Sequence, residues 1–230
     1  QPGAHLYVKD MVWRFASTAR LIVRKGASIT FTDCTLSSFD CPDQRWPGVR
    51  VEGETNNPLQ SGTNQGQLRL TNSTVSNAVI GVHCARELAN GAIDPAGFGG
   101  VVRAVGYQFV DNITGVRIEQ YHRYGSLGNE LNNICLFSNC GFHTTADFPG
   151  LGNTVPQNMA LLFDVNGVRF TNCAFENQAY GSFPGPDQRG RGIMAWAASF
   201  TCTGGMNYAL HGFRNLTAGV LAYVPVPPAH

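Results

Sequence analysis

"RFTNCAFEN" occupies Arg169 to Asn177, and two earlier stretches read almost alike: "TFTDCTLSS" from Thr30 to Ser38 and "RLTNSTVSN" from Arg69 to Asn77. Centred on these is a pentad that recurs as Thr32–Leu36, Thr71–Val75, Val105–Phe109, Ser138–Phe142 and Thr171–Phe175. Its second residue falls at 33, 72, 106, 139 and 172, so the steps are 39, 34, 33 and 33 residues. Self-similarity at this period marks a solenoid or a propeller. An alternating stretch precedes each pentad ("SITF", "QLRL", "VVRA", "ICLF", "GVRF"). A second one follows, opened by a small residue ("GVRVEG", "GVHCAR", "GVRIEQ", "ALLFDV", "GIMAWA", "GVLAYV"). Alternation with period two marks half-buried strands. Two or three short strands per unit are too few for a propeller blade, and no stretch has helical periodicity with caps. The sequence therefore predicts an all-β, right-handed parallel β-helix of about six coils with long loops. Its coils lie about 4.8 Å apart.

Stacking assigns roles to the repeated residues. Val49, Val82, Val116, Leu161, Ile193 and Val220 form one expected inward column. Phe31, Leu70, Ala104, Phe137 and Phe170 form a second, and Leu36, Val75, Phe109, Phe142, Phe175 and Phe213 a third. Each buried apolar side chain contributes about 1.5–3 kcal/mol. Asp33, Asn72, Asn139 and Asn172 fall at the turns, where Asn tolerates left-handed backbone and can form a ladder with the next coil. Cys34, Cys140 and Cys173 share one column and read as small buried hydrophobes ahead of a thiol site. Residues 1–224 make one domain, with 1–20 a cap or first coil and 225–230 a linker or an expression-derived end.

The bulk composition agrees with an extracellular β-protein. Of 230 residues, 43% are hydrophobic and 13% charged, about half the usual charged share. A formal net charge of +1 gives no general pull on nucleic acid. No run of eighteen apolar residues provides a membrane span. No charged-then-apolar leader opens the sequence at Gln1, so a secretion signal is expected to have been removed or to lie outside it. Seven cysteines without a CxxC pair, and six histidines without HxH or HExxH spacing, give no zinc signature. No cofactor motif is present: "GFGG" lacks the Lys-Ser/Thr of a phosphate loop, and no G-x-S-x-G elbow occurs. N-x-S/T triplets begin at Asn72, Asn112 and Asn215; they are incidental in a bacterial protein.

"LIVRKGASITFTDCTLSS", "WPGVRVEGE", "QGQLRLTNSTVSNAVIGVHCAR", "GGVVRAVGYQFVDNITGVRI" and "NGVRFTNCAFEN" together resemble the pectate-lyase-like β-helix repeats of large bacterial surface proteins. Many of these look like cargo of the type IX secretion system. The resemblance spans about residues 18–224. It implies an extracellular or cell-surface protein of adhesive character, part of a larger chain.

The outward face of the second alternating strand is where β-helix lyases and hydrolases hold polysaccharide. Its expected columns are Arg50, His83, Arg117, Leu162, Met194 and Leu221, then Glu52, Ala85, Glu119, Asp164, Trp196 and Tyr223. Aromatic faces stack on sugar rings and Arg pairs with uronate carboxylates, so Arg50, His83, Arg117, Glu119, Trp196 and Tyr223 are candidate ligand residues. The competing reading is a solvated face with lateral ion pairs. Two loops share "PDQR" and add Asp43, Arg45, Trp46, Asp187, Arg189 and Arg191 at the border, either as binding residues or as anchors of their own loops. A further loop clusters Tyr121, His122, Arg123 and Tyr124. For catalysis, Glu119 and Asp164 are the best carboxylate pair, about 5 Å apart if their coils stack in that register, with Arg117 or His83 as base. The Asp-Asp and Gly-His-Gly signatures of the hydrolases are missing. The preferred expectation is a non-catalytic scaffold for adhesion or glycan contact. A carbohydrate-active enzyme and a self-assembling spacer are the alternatives. The expected partners are glycans, other domains of the same protein or copies of itself, with no metal, cofactor or nucleic acid.

Overall fold

The computed structural model describes residues 3–39, 44–148, 154–183, 185–204 and 212–224. Asp43 and residues 225–230 lie outside the described residues.

Short strands recur in threes along the chain, and each pairs in parallel with its equivalent one repeat later. The first sheet holds His5–Lys9, Ser28–Thr32, Gln67–Thr71, Val101–Val105, Leu136–Ser138, Val168–Thr171 and Phe200–Thr203. The second holds Val12–Phe15, Thr35–Ser38, Thr74–Ser76, Gln108–Val110, Gly141–Thr144, Ala174–Asn177 and Gly212–Arg214. The third holds Leu21–Val23, Val49–Val51, Ile80–Cys84, Thr114–Ile118, Asn158–Phe163, Arg191–Trp196 and Ala218–Tyr223. Three parallel sheets of seven strands, visited in rotation, are a parallel β-helix of seven coils. The stretch before residue 20 thus adds a coil to the six expected, because Val8 and Trp13 pair with Phe31 and Leu36.

The sharp corner between the first and second sheets explains the pentad. Asp10, Asp33, Asn72, Gly106, Asn139 and Asn172 all stand there with φ between 46° and 63°. Asn and Asp are the non-glycine residues that reach this region most readily. Their main-chain N–H groups donate to the next coil, from Asp33 to Thr71 O at 3.0 Å through Asn172 to Thr203 O at 2.7 Å. The ladder is therefore mainly a backbone one. Its side-chain rung is Asn172 Nδ2 donating to Asn139 Oδ1 at 3.3 Å.

Two of the inward columns stand as the pattern predicts. Phe31, Leu70, Ala104, Phe137 and Phe170 are in register and fully buried. Phe109, Phe142, Phe175 and Phe213 stack face to face at 4.5, 4.7 and 4.9 Å. Each such pair adds about 0.5–1.5 kcal/mol beyond area burial. Cys34, Cys140 and Cys173 are buried free thiols whose S–H groups donate to carbonyl oxygens, as Cys140 does to Ser138 O at 3.4 Å.

The third sheet corrects the expected register. Val116 pairs with Ala160, not Leu161, and Ile118 pairs with Leu162. Leu162 is consequently buried, while Leu161 faces outward between Arg117 and Met194. This coil lacks the Gly that opens its neighbours (Gly115-Val116 and Gly192-Ile193) and carries Met159-Ala160 instead, so its apolar run reads equally well one residue late.

Candidate functional site

The outward column of the third sheet is Ile22, Arg50, His83, Arg117, Leu161, Met194 and Leu221, one residue per coil. Strand alternation puts these side chains on one face. After Ile22 the face divides in two: Arg50, His83 and Arg117 are polar or charged, and Leu161, Met194 and Leu221 are apolar.

In the charged half the groups pair with one another, although Arg50 Nε and Arg117 Nε are buried without an aligned hydrogen-bond acceptor. Arg50 Nη1 donates to His83 Nδ1, and Arg50 Nη2 donates to Glu87 Oε2 at 3.1 Å. His83 Nδ1 is therefore the acceptor nitrogen, so Nε2 carries the hydrogen that it donates to Glu119 Oε1 at 2.7 Å. Arg117 Nε lies 2.6 Å from the same carboxylate oxygen. Arg20 closes on Glu87 from the first coil. His83 and Glu119 are 1% and 4% exposed, which removes both from direct contact with a ligand. Burial holds the His83 imidazole below its ordinary pKa and lowers that of Arg50. Burial pushes the Glu119 carboxyl up, but the His83 hydrogen bond and the Arg117 charge bring it below its usual range. Glu52 is buried beside Arg24, at 3.8 Å.

The carboxylate pair Glu119 and Asp164 does not form. The register places Phe163 level with Glu119, and Asp164 one step further along. Asp164 Oδ2 accepts from Gln120 Nε2 at 2.5 Å, while its Oδ1 lies 3.2 Å from His122 Nε2. His122 Nδ1 meets Glu130 Oε1 at 2.8 Å, and that contact leads the causes that raise the His122 pKa. His122 thus clamps the small hairpin of Arg123–Tyr124 and Glu130–Leu131 against the neighbouring coil.

The loop residues also serve the scaffold. Trp46, expected at a binding border, is fully buried: it stacks on Phe15 at 4.2 Å and its Nε1–H donates to Ser76 O at 2.8 Å. Arg45 lies 4.1 Å above the Phe148 ring and donates to Asp111 O; burial lowers its pKa to about 10. Arg189 lies 5.7 Å from the Tyr180 ring, and its carbonyl accepts from Asn177 Nδ2 at 2.9 Å.

What remains open is an aromatic strip. Phe163, Trp196 and Tyr223 are in register on three successive coils, each 41–42% exposed. The Trp196 and Tyr223 rings are 5.1 Å apart, inclined at 35°. Leu161, Met194 and Leu221 flank the strip on one side. On the other, Tyr223, Ala197, Ala198, Glu130 and His122 border an open depression of about 520 Å³. Phe163 escaped the sequence reading because the register slip had assigned its place to Asp164. A small hollow lies elsewhere, among Phe142, His143, Asn158 and Arg191; at about 10 Å³ it suits a water molecule and not a sugar. Among the described residues no three His, Cys, Asp or Glu side chains gather as metal ligands, and no helix is long and apolar enough to cross a membrane.

No protein-family model matches the chain, and neither does any curated protein. Among solved structures it is similar to the surface protein and adhesin PfbA of Streptococcus pneumoniae, at 9% identity over 94% of this chain and 67% of that one. The TM-score is 0.30, a likeness too slight to bear on function.

Proposed function

We propose that the chain is a non-catalytic, extracellular scaffold that contacts glycans through the strip of Phe163, Trp196 and Tyr223. The observation that carries this reading is the strip itself: three large aromatic faces left half-open on consecutive coils of a rigid sheet. Aromatic side chains of this kind present an apolar face with low ordering cost, and Tyr and Trp add a polar edge. A polysaccharide lying along the solenoid axis would meet one ring per coil. The preferred sugars are neutral or amino sugars in place of uronates. Arg50 and Arg117 already face Glu87 and Glu119, and the carboxylates beside the strip are Asp164 and Glu130. Catalysis is left out of the proposal because Glu119 is buried and tied to His83, with Asp164 turned to other partners. A place at a bacterial cell surface, within a larger protein exported by a type IX route, follows from the resemblance of the repeats and belongs to the same proposal.

The test is binding to an array of neutral, amino and acidic glycans by the wild type and by Trp196→Ala. Retention of neutral or amino glycans by the wild type, lost in the variant, supports the reading. Capture of acidic glycans alone, undiminished by the substitution, would refute it.

A further inference from the structure

The first sheet has an outward face of its own, remote from the aromatic strip of the third. From the third coil to the seventh its outward column runs Arg69, Arg103, Leu136, Arg169 and Thr201, in register. The three arginines are exposed and Leu136 is half-buried. Beside them, toward the corner, runs a hydroxyl-rich column of Thr71, Val105, Ser138, Thr171 and Thr203.

Elsewhere in the fold arginine charge is met locally. Among the described residues Arg20, Arg24, Arg50, Arg86, Arg117 and Arg214 each face a carboxylate. Arg69, Arg103 and Arg169 face none, and Arg69 Nη2 donates only to the neutral Gln67 Oε1, at 3.5 Å. The five strands of these coils in the first sheet hold three arginines and no Asp, Glu or Lys, in a chain of 16 basic and 15 acidic residues. Their corner residues Asn72, Gly106, Asn139 and Asn172 are neutral as well; the acidic corners, Asp10 and Asp33, belong to the first two coils. Arg69 and Arg103 also stand directly opposite each other on adjacent strands, about 4.8 Å apart. Like charges so placed destabilise a sheet, and an anion held between them removes that repulsion.

We infer that this face binds a linear sulfated polysaccharide lying along the solenoid axis. Charge complementarity selects an anionic polymer, and the side-by-side arginines select its anionic group. Two guanidinium forks at one-coil spacing converge on one tetrahedral sulfate, whose three free oxygens accept from both; a planar carboxylate offers two oxygens, which a single fork already occupies. Arg169, two coils and so about 10 Å beyond Arg103, meets a sulfate further along the same chain. Between them Leu136 gives an apolar rest for a sugar ring, and the hydroxyls of Thr71, Ser138 and Thr171 reach the sugar hydroxyls. A single-stranded nucleic acid fits less well, because such sites join cations to aromatic platforms for successive bases. No aromatic side chain stands in either column from the third coil on.

The experiment is calorimetric titration with three oligosaccharides of one backbone, namely dextran, dextran sulfate and carboxymethyl dextran, and with a single-stranded oligothymidylate. The proteins are the wild type, Arg103→Gln, Arg214→Gln and Trp196→Ala. Arg214→Gln removes the same charge from the second sheet, where Arg214 is paired with Glu176. The wild type is expected to bind dextran sulfate in preference to the other three, with an affinity that falls as salt is added. Arg103→Gln weakens this binding at least tenfold, and Arg214→Gln and Trp196→Ala leave it within twofold. The Trp196→Ala arm makes the two glycan faces fail independently. The urea midpoint of Arg103→Gln does not fall, since the substitution relieves facing charges, and this separates lost binding from lost folding. A wild type that binds no dextran sulfate overturns the inference. So does equal affinity for carboxymethyl dextran, tighter binding of the oligothymidylate, or an equal loss in Arg103→Gln and Arg214→Gln, the mark of general charge attraction.

Discussion

Trp196 sits directly over Tyr223, one coil apart, with ring centroids at 5.1 Å, and Phe163 holds the same position one coil earlier. Nothing in the fold requires three large aromatics there. Their equivalent in the preceding coil is Glu119, which is buried and hydrogen-bonded. Because all three rings are about two-fifths exposed, Trp196→Ala should cost roughly 1 kcal/mol of stability or less, the range of a cross-strand surface pair. Urea unfolding of the variant checks this and separates a binding defect from a folding defect.

The core columns behave differently. Phe142 is fully buried and stacked between Phe109 and Phe175. Phe142→Ala should lower the unfolding free energy by about 3–5 kcal/mol, through lost transfer energy and the cavity left behind. Chemical denaturation of this variant beside Trp196→Ala should show a midpoint shift several times larger.

Glu119 is the acceptor on which the charged half of the face converges. Replacing it with Ala leaves the buried His83 N–H without an acceptor and the half-exposed Arg117 guanidinium without its carboxylate, and leaving a buried donor unsatisfied costs about 1–3 kcal/mol. Stability should fall accordingly, while glycan retention at a temperature where the variant is folded should not change. Loss of binding with unaltered stability would instead place Glu119 in a ligand site.

Two histidines give opposite pH signs. His122 has a raised pKa, chiefly from its Glu130 hydrogen bond. Its stabilising effect is complete below the ordinary value of 6.5 and is lost as pH rises through the folded-state pKa. His83 is held low by burial, so its effect is complete above 6.5 and is lost as pH falls through its folded-state value. His122→Gln should flatten the alkaline side of a stability profile, and His83→Gln the acid side. Urea midpoints collected between about pH 5 and 8, the range in which histidines titrate, test both slopes.

The corner residues offer a backbone test. Asn139 stands at φ 53° with its N–H bonded to Thr171 O at 2.8 Å. Asn139→Val should cost about 1–3 kcal/mol, because a β-branched residue resists the left-handed region, whereas Asn139→Gly should be nearly neutral. Thermal melts of the pair decide whether the conformation or the side chain matters.

The fold was legible because stacking forces like residues into columns. The pentads ending in Leu36, Val75, Phe109, Phe142 and Phe175 could be aligned by eye, and their register is the observed one. The site was less legible. Around Ala160 the run Met159–Phe163 is apolar at every position, so alternation fixes neither face, and the slip hid Phe163 while promoting Asp164. Nor does sequence show that Trp46 fills the core beside Phe15, since its loop composition is that of an exposed turn. The closed network of Arg50, His83, Glu87 and Glu119 depends on Glu87, which reaches the face from the hairpin after its strand. No periodic pattern announces that contact.

The most direct test of the central claim is calorimetric titration of a retained neutral or amino glycan into the wild type, Trp196→Ala and Arg117→Ala. The account predicts that Trp196→Ala weakens binding at least tenfold, about 1.4 kcal/mol, while Arg117→Ala leaves it within twofold. Binding that survives the loss of Trp196 but fails with Arg117 would contradict the aromatic strip and return the site to the charged half of the face.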